Sequence, residues 1–135
     1  MALINWNDSF SVNVAEIDRQ HQKLVSMINE LNDAMRQGKG NDVLGKIING
    51  LISYAAIHFK TEEKYFDQFR YPETDIHKKE HSAFVERVSD FKNKFEKSSL
   101  GLSIEVMNFL SDWLKNHIKA SDMRYSKFFN EKGLR

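Results

Sequence analysis

A chain of 135 residues is long enough to bury a core as one domain without staples, and the absence of cysteine excludes disulfide frameworks, zinc fingers and iron-sulfur sites. Its 20 basic and 19 acidic residues are well mixed, leaving a net charge of +1, which argues against a nucleic-acid partner. No stretch approaches the roughly 18 consecutive apolar residues of a membrane span, and the first residues lack a basic segment followed by an apolar run; a cytoplasmic protein is expected.

The opening segment carries Trp6, Phe10, Val12 and Val14 between polar residues, without helical period. It is expected to form an arm packed on the surface, with Trp6 as its anchor. Asp18 is a good N-cap for a first helix, whose inward seam runs Ile17, His21, Leu24, Ile28, Leu31 and Met35 in alternating steps of four and three up to Gly38. After the Gly38-Lys39-Gly40 turn, a second, long helix presents Leu44, Ile47, Leu51, Ala55, His58, Glu62, Tyr65 and Phe69 until Tyr71-Pro72 stops it. Thr74 or Asp75 caps a third helix with the seam His77, His81, Phe84, Val88, Phe91 and Phe95. A break at Ser98-Ser99-Leu100-Gly101 precedes a fourth, with Val106, Leu110, Trp113 and His117, and a short terminal helix is expected from Asp122 through Phe129. The fold predicted is all-α: a single domain, residues 1–135, forming an up-down-up-down antiparallel four-helix bundle with an N-terminal arm and a short C-terminal helix.

All five histidines fall on these seams, accompanied by Glu62 and Asp122. Burying so many titratable groups is costly unless something compensates them together, and one metal cluster would. Antiparallel order brings the start of the first helix, the end of the second, the start of the third and the end of the fourth to one end of the bundle. His21, His58, Glu62, His77, His81, His117 and Asp122 therefore converge. The pairs His58/Glu62 and His77/His81, four apart, each share a face. His117 and Asp122 are five apart, which on a straight α-helix separates them by about 140°, so a break is expected near Lys119 to Ser121, with Ser121 or Asp122 capping the short terminal helix.

Seven donors exceed the four that one zinc accepts and suit two ions; imidazole and carboxylate are compatible with iron, manganese, zinc or copper. Neither the Glu-x-x-His pairs of ferritin-like di-iron proteins nor a His-Glu-x-x-His protease motif occurs. Asp18 reads as a cap rather than a ligand and Glu63 as a solvent-facing charge. Phe66, Phe69, Phe84, Phe91 and Phe95 read as core, and Tyr125, near Asp122, as outer support for the cluster.

The segments Ile17-Asp18-Arg19-Gln20-His21, His58-Phe59-Lys60-Thr61-Glu62-Glu63, Tyr71-Pro72, His77 with His81, and Trp113-Leu114-Lys115-Asn116-His117-Ile118 followed by Asp122 resemble the hemerythrin family, most of all its single-domain bacterial members. The resemblance spans nearly the whole chain. It implies two non-haem iron ions joined by an oxo or hydroxo group, with His77, His81 and His117 on one, His21 and His58 on the other, and Glu62 and Asp122 bridging. It further implies that dioxygen binds at the open position of the iron held by His21 and His58, in an apolar pocket lined by Phe59, Trp113, Leu114 and Ile118, with Leu24 a weaker candidate. The activity implied is reversible dioxygen binding for transport, storage or scavenging by a monomer, not enzymatic turnover. An oxygen or redox sensor domain and a di-iron oxidase, peroxidase or nitric oxide-handling enzyme are the alternatives, the last expected to place an acid in the pocket.

Overall fold

A computed structural model of the chain describes residues 3–98 and 101–135. After a 3-10 turn at Asp8–Phe10 come α1 (Ala15–Arg36), α2 (Gly40–Phe69), α3 (Thr74–Lys97) and α4 (Leu102–Trp113). The last of these runs through a π-helical stretch, Leu114–Asp122, into α5 (Met123–Glu131). No strand occurs among the described residues, and no helix there is long and apolar enough to cross a membrane.

Cross-helix contacts establish the antiparallel order. Lys46 pairs with Glu30 near one end of α1 and α2, and Tyr65 reaches Glu16 near the other. Lys78 pairs with Asp67 between α2 and α3, and Lys94 and Arg87 reach Glu105 between α3 and α4. Helix α4 closes the bundle against α1, so the expected four-helix bundle is the observed fold.

The helix starts differ from expectation in two places. Helix α1 starts at Ala15, before Asp18, and has no side-chain cap; the Asp18 carboxylate, one turn inside, accepts instead from the Val12 amide at 2.9 Å and the Ser11 hydroxyl at 2.6 Å. It ties the arm to the helix, which extends α1 by a turn. Helix α3 begins at Thr74 without a side-chain cap, the Thr74 hydroxyl turning back to the Tyr71 carbonyl. Of the expected break before α4, Ser99 and Leu100 lie outside the described residues, and Gly101 at φ 71° leads into the helix.

The largest correction concerns His117 and Asp122. The helix does not break between them: over Leu114–Asp122 its turns close on the fifth residue rather than the fourth, so residues five apart stack on one face. The wider winding achieves what a break was expected to achieve.

Two apolar clusters fill the interior. The larger contains Leu24, Ile28, Leu31, Leu44, Ile47, Leu51, Phe84, Val88, Phe91, Val106 and Leu110, with Trp6 stacked on Phe10 at its edge. The smaller contains Val12, Val14, Ile17, Phe66, Tyr71, Tyr125 and Phe129. The arm is thus more than a surface strap, since Val12 and Val14 are fully buried. Along α1 the order is Ile17, His21, Leu24, and along α2 it is Phe59, Glu62, Phe66: a polar layer separates the two clusters.

Phe66 is fully buried and its ring contacts those of Tyr71, His77, Tyr125 and Phe129. Phe66→Ala should destabilise the metal-free protein by about 3–5 kcal/mol, as for other buried phenylalanines, read as a lower urea midpoint. A cost under about 1 kcal/mol would mean that the smaller cluster is not a packed unit.

Candidate metal centre

Every helix of the bundle contributes to the polar layer. His21 comes from the second turn of α1, His58 and Glu62 from the later half of α2, His77 and His81 from the first two turns of α3, and His117 and Asp122 from the π-helical stretch. All seven are no more than 2% exposed. Each was identified from the sequence, and the fold brings all of them together.

Their donor atoms form two overlapping groups, within each of which the atoms lie within 4.8 Å of one another: Glu62, His77, His81 and His117, and His21, His58, Glu62 and Asp122. Glu62 belongs to both. Its Oε1 lies 2.9 Å from His81 Nε2 and 3.4 Å from His58 Nε2. Asp122 also faces both sides, with Oδ1 2.8 Å from His77 Nε2 and 3.0 Å from His117 Nε2, and Oδ2 3.0 Å from His21 Nε2. The two halves are unequal, three imidazoles against two.

Short distances do not make these contacts hydrogen bonds. Glu62 Oε1, both Asp122 carboxylate oxygens and the Nε2 atoms of His77, His81 and His117 have no correctly directed partner, although all are buried. Natural folds rarely leave such groups unpaired. Lone pairs that crowd together yet do not point at each other fit a cation placed between them, and the imidazole and carboxylate set fits a first-row transition metal.

Behind the imidazoles stands a second layer that aims them. His58 Nδ1 lies 2.6 Å from Gln20 Oε1, and the Gln20 amide donates in turn to the Thr61 hydroxyl, so the Gln20 oxygen is the acceptor and His58 Nδ1 carries the proton. His81 Nδ1 donates to Glu63 at 2.9 Å. His117 Nδ1 faces Glu80 at the looser ion-pair distance of 3.6 Å, and Glu80 also accepts from Ser121. A proton held on Nδ1 of His58 and His81 leaves Nε2 bare toward the centre, the tautomer a metal needs. Glu63 is therefore not the solvent-facing charge expected of it: at one helical step from Glu62, its side chain reaches across to α3. Tyr125 donates to Glu62 Oε2, the outer support anticipated for it.

Electrostatics differ from imidazole to imidazole. Burial pushes His58 down to about 3, which leaves it neutral. Burial also works against charge on His77 and His117, but the nearby carboxylates of Asp122 and Glu62 outweigh it, with Glu80 adding to His117, and raise them to about 9 and about 10. Burial and their mutual repulsion push Glu62 and Asp122 up, yet the surrounding imidazoles hold both well below the usual carboxylate range.

Of the residues assigned to the pocket, Phe59 stacks on His81 with ring centroids 3.9 Å apart, and Trp113 stacks on His117 at the same separation. Leu114 and Ile118 are buried in the larger cluster with Leu24. Besides Glu80, a residue beside the centre that escaped notice in the sequence is Tyr54, one turn before His58, whose ring lies 5.0 Å from the His58 ring. Its place four residues before a donor on the same helix was the available signal.

The model of the hemerythrin HHE cation binding domain matches residues 12–128. A bacteriohemerythrin of Pseudomonas aeruginosa PAO1 is 36% identical over 125 residues, covering 93% of this chain and 80% of that protein. One from Methylococcus capsulatus (Bath) is 34% identical over 126 residues, covering 93% of this chain and 95% of that one. The crystal structure of a wild-type hemerythrin superposes with a TM-score of 0.80 at 33% identity, covering 93% of this chain and 97% of its own.

This geometry makes two outcomes measurable. Metal uptake requires deprotonated ligands, so anaerobic addition of ferrous iron at pH 7 should expel on the order of two protons per chain, from His77 and His117, detected with an indicator dye. Because both pKa values are raised above 6.5, their contribution to the metal-free fold is complete below that pH and fades as pH climbs through 9 and 10. The urea midpoint of the metal-free protein should fall over that range. Glu62→Ala removes the one donor common to both groups, and metal analysis should find fewer than two ions per chain.

Proposed function

The chain belongs to the hemerythrin family, which ties it to iron binding and an oxygen-related role, and from that premise we propose that it binds dioxygen reversibly at two non-haem iron ions. The observation that carries this reading is the polar layer: seven buried donors in two groups that share Glu62, most of them with buried polar atoms left without a partner. In this reading His77, His81 and His117 hold one ion, His21 and His58 the other, and Glu62 and Asp122 bridge. Two ferrous ions, when bound, supply the two electrons that a reversible capture of dioxygen needs.

The rest falls to the chain itself. Gln20, Glu63 and Glu80 orient imidazoles from behind, and Tyr125 orients Glu62. Phe59, Trp113, Leu114 and Ile118, with Leu24, wall the centre in apolar side chains, which keeps water out and withholds acids that would drive an oxidase. This favours carriage, storage or scavenging of oxygen over turnover. The reading takes residues 1–135 as one domain and extends to a cytoplasmic monomer.

Anaerobic titration of the metal-free protein with ferrous iron should saturate at two ions per chain, one for each donor group. A visible absorption band should then appear under oxygen and vanish under argon through repeated cycles. Irreversible conversion to the ferric form, with peroxide released, would make the protein a redox enzyme or sensor instead. Ile118 is fully buried, and Ile118→Glu should abolish stable oxygen binding by placing an ionisable group in the wall. Reversible oxygenation retained in that variant would remove Ile118 from the pocket.

A further inference from the structure

All but two of the buried polar side-chain atoms without a partner among the described residues belong to the seven donor residues. The exceptions are Trp113 Nε1 and the Tyr54 hydroxyl. They sit on opposite halves of the centre, Trp113 stacked on His117 and Tyr54 stacked on His58 with an interplanar angle of 22°. The half beside Tyr54 is the one with two imidazoles rather than three; with Glu62 and Asp122 bridging, as in the reading above, it is the half that keeps a position for an incoming ligand.

A second observation points the same way. Tyr54, Gln20 and His58 line a cavity of about 260 Å³ between α1 and α2, with exposed Lys23 and Ile57 on its rim. Within it, the Gln20 oxygen is already taken by His58, and the other hydroxyl near the centre, that of Tyr125, is taken by Glu62. Tyr54 alone of these keeps a free donor. A buried hydroxyl without an acceptor destabilises a fold, and its presence asks for a partner that arrives later.

We propose that Tyr54 donates a hydrogen bond to the acceptor atom of a small diatomic or anionic ligand held at the His21–His58 half, slowing its escape. The proposal rests on the oxygen-binding reading above. A tyrosine hydroxyl keeps its proton at neutral pH, so Tyr54 can serve there as a donor. Tyr54 thereby differs from the acid an oxidase would place there.

The test is Tyr54→Phe, which deletes the hydroxyl and keeps the ring that stacks on His58, Phe59 and Phe84. With azide as probe on the ferric, iron-loaded protein, the dissociation constant should rise roughly tenfold, the worth of one such hydrogen bond. Oxygen should leave the ferrous protein faster by a similar factor, with iron content unchanged. The metal-free variant should at the same time show a higher urea midpoint, because the orphaned hydroxyl is gone. Tyr125→Phe, which breaks an existing hydrogen bond, should lower that midpoint and serves as the contrast. Unchanged azide affinity and oxygen release, or a lower urea midpoint in Tyr54→Phe, would overturn the role of Tyr54. A wild-type protein that takes up iron but neither azide nor oxygen would overturn the parent reading, and this one with it.

Discussion

The structure is organised around a buried layer of charge that cuts its apolar interior in two. Above it lie Leu24, Phe59, Phe84, Leu114 and Ile118; below it lie Ile17, Phe66, Tyr125 and Phe129. These clusters keep water from five imidazoles and two carboxylates, and without water the groups must neutralise one another or be neutralised. Mutual pairing is incomplete, as the unpartnered atoms of Glu62, Asp122 and the imidazoles show. Bound metal would satisfy these atoms together, which would make metal binding part of the stability of this bundle as well as of its chemistry.

The layer is built asymmetrically, and the asymmetry reaches into its surroundings. Behind the three-imidazole half stand the carboxylates of Glu63 and Glu80; behind the two-imidazole half stands the neutral amide of Gln20, while His21 Nδ1 has no partner. Anionic acceptors make an imidazole a stronger donor to a metal than an amide does. One half is therefore closed and electron-rich, the other more open and backed by neutral groups. The ring of Tyr54 stacks on the second.

The donor set was legible in the sequence because each member replaces an apolar residue on a seam that is otherwise regular. His21 stands between Ile17 and Leu24, and His81 precedes Phe84, in positions where helical period demands burial. The residues that aim the donors were not legible in this way. Gln20 and Glu63 each adjoin a donor in sequence and Glu80 adjoins His81, but all three lie off the seam, where a charged or amide side chain usually faces solvent. What fixes their role is the neighbouring helix: Gln20 on α1 serves His58 on α2, and Glu80 on α3 serves His117. Tyr54 was missed for a similar reason, since an aromatic one turn from a histidine reads as core until its hydroxyl is seen to lack a partner.

Helix period, the turn residues at Gly38-Lys39-Gly40 and Tyr71-Pro72, and the single end of the bundle to which seven polar seam residues belong were determined by the sequence itself, because they depend on local spacing and chain order. The path between His117 and Asp122 was decided only in three dimensions. A spacing of five does not put two side chains on one face of an α-helix, and two remedies exist, a break or a wider turn; α4, packed against α1 and α3, continues without a break into the π-helical winding. The start of α1 was decided in the same way, by the Asp18 carboxylate finding the arm rather than its own helix. Local spacing states which side chains need partners, and the tertiary fold chooses those partners because only it brings distant backbone within reach.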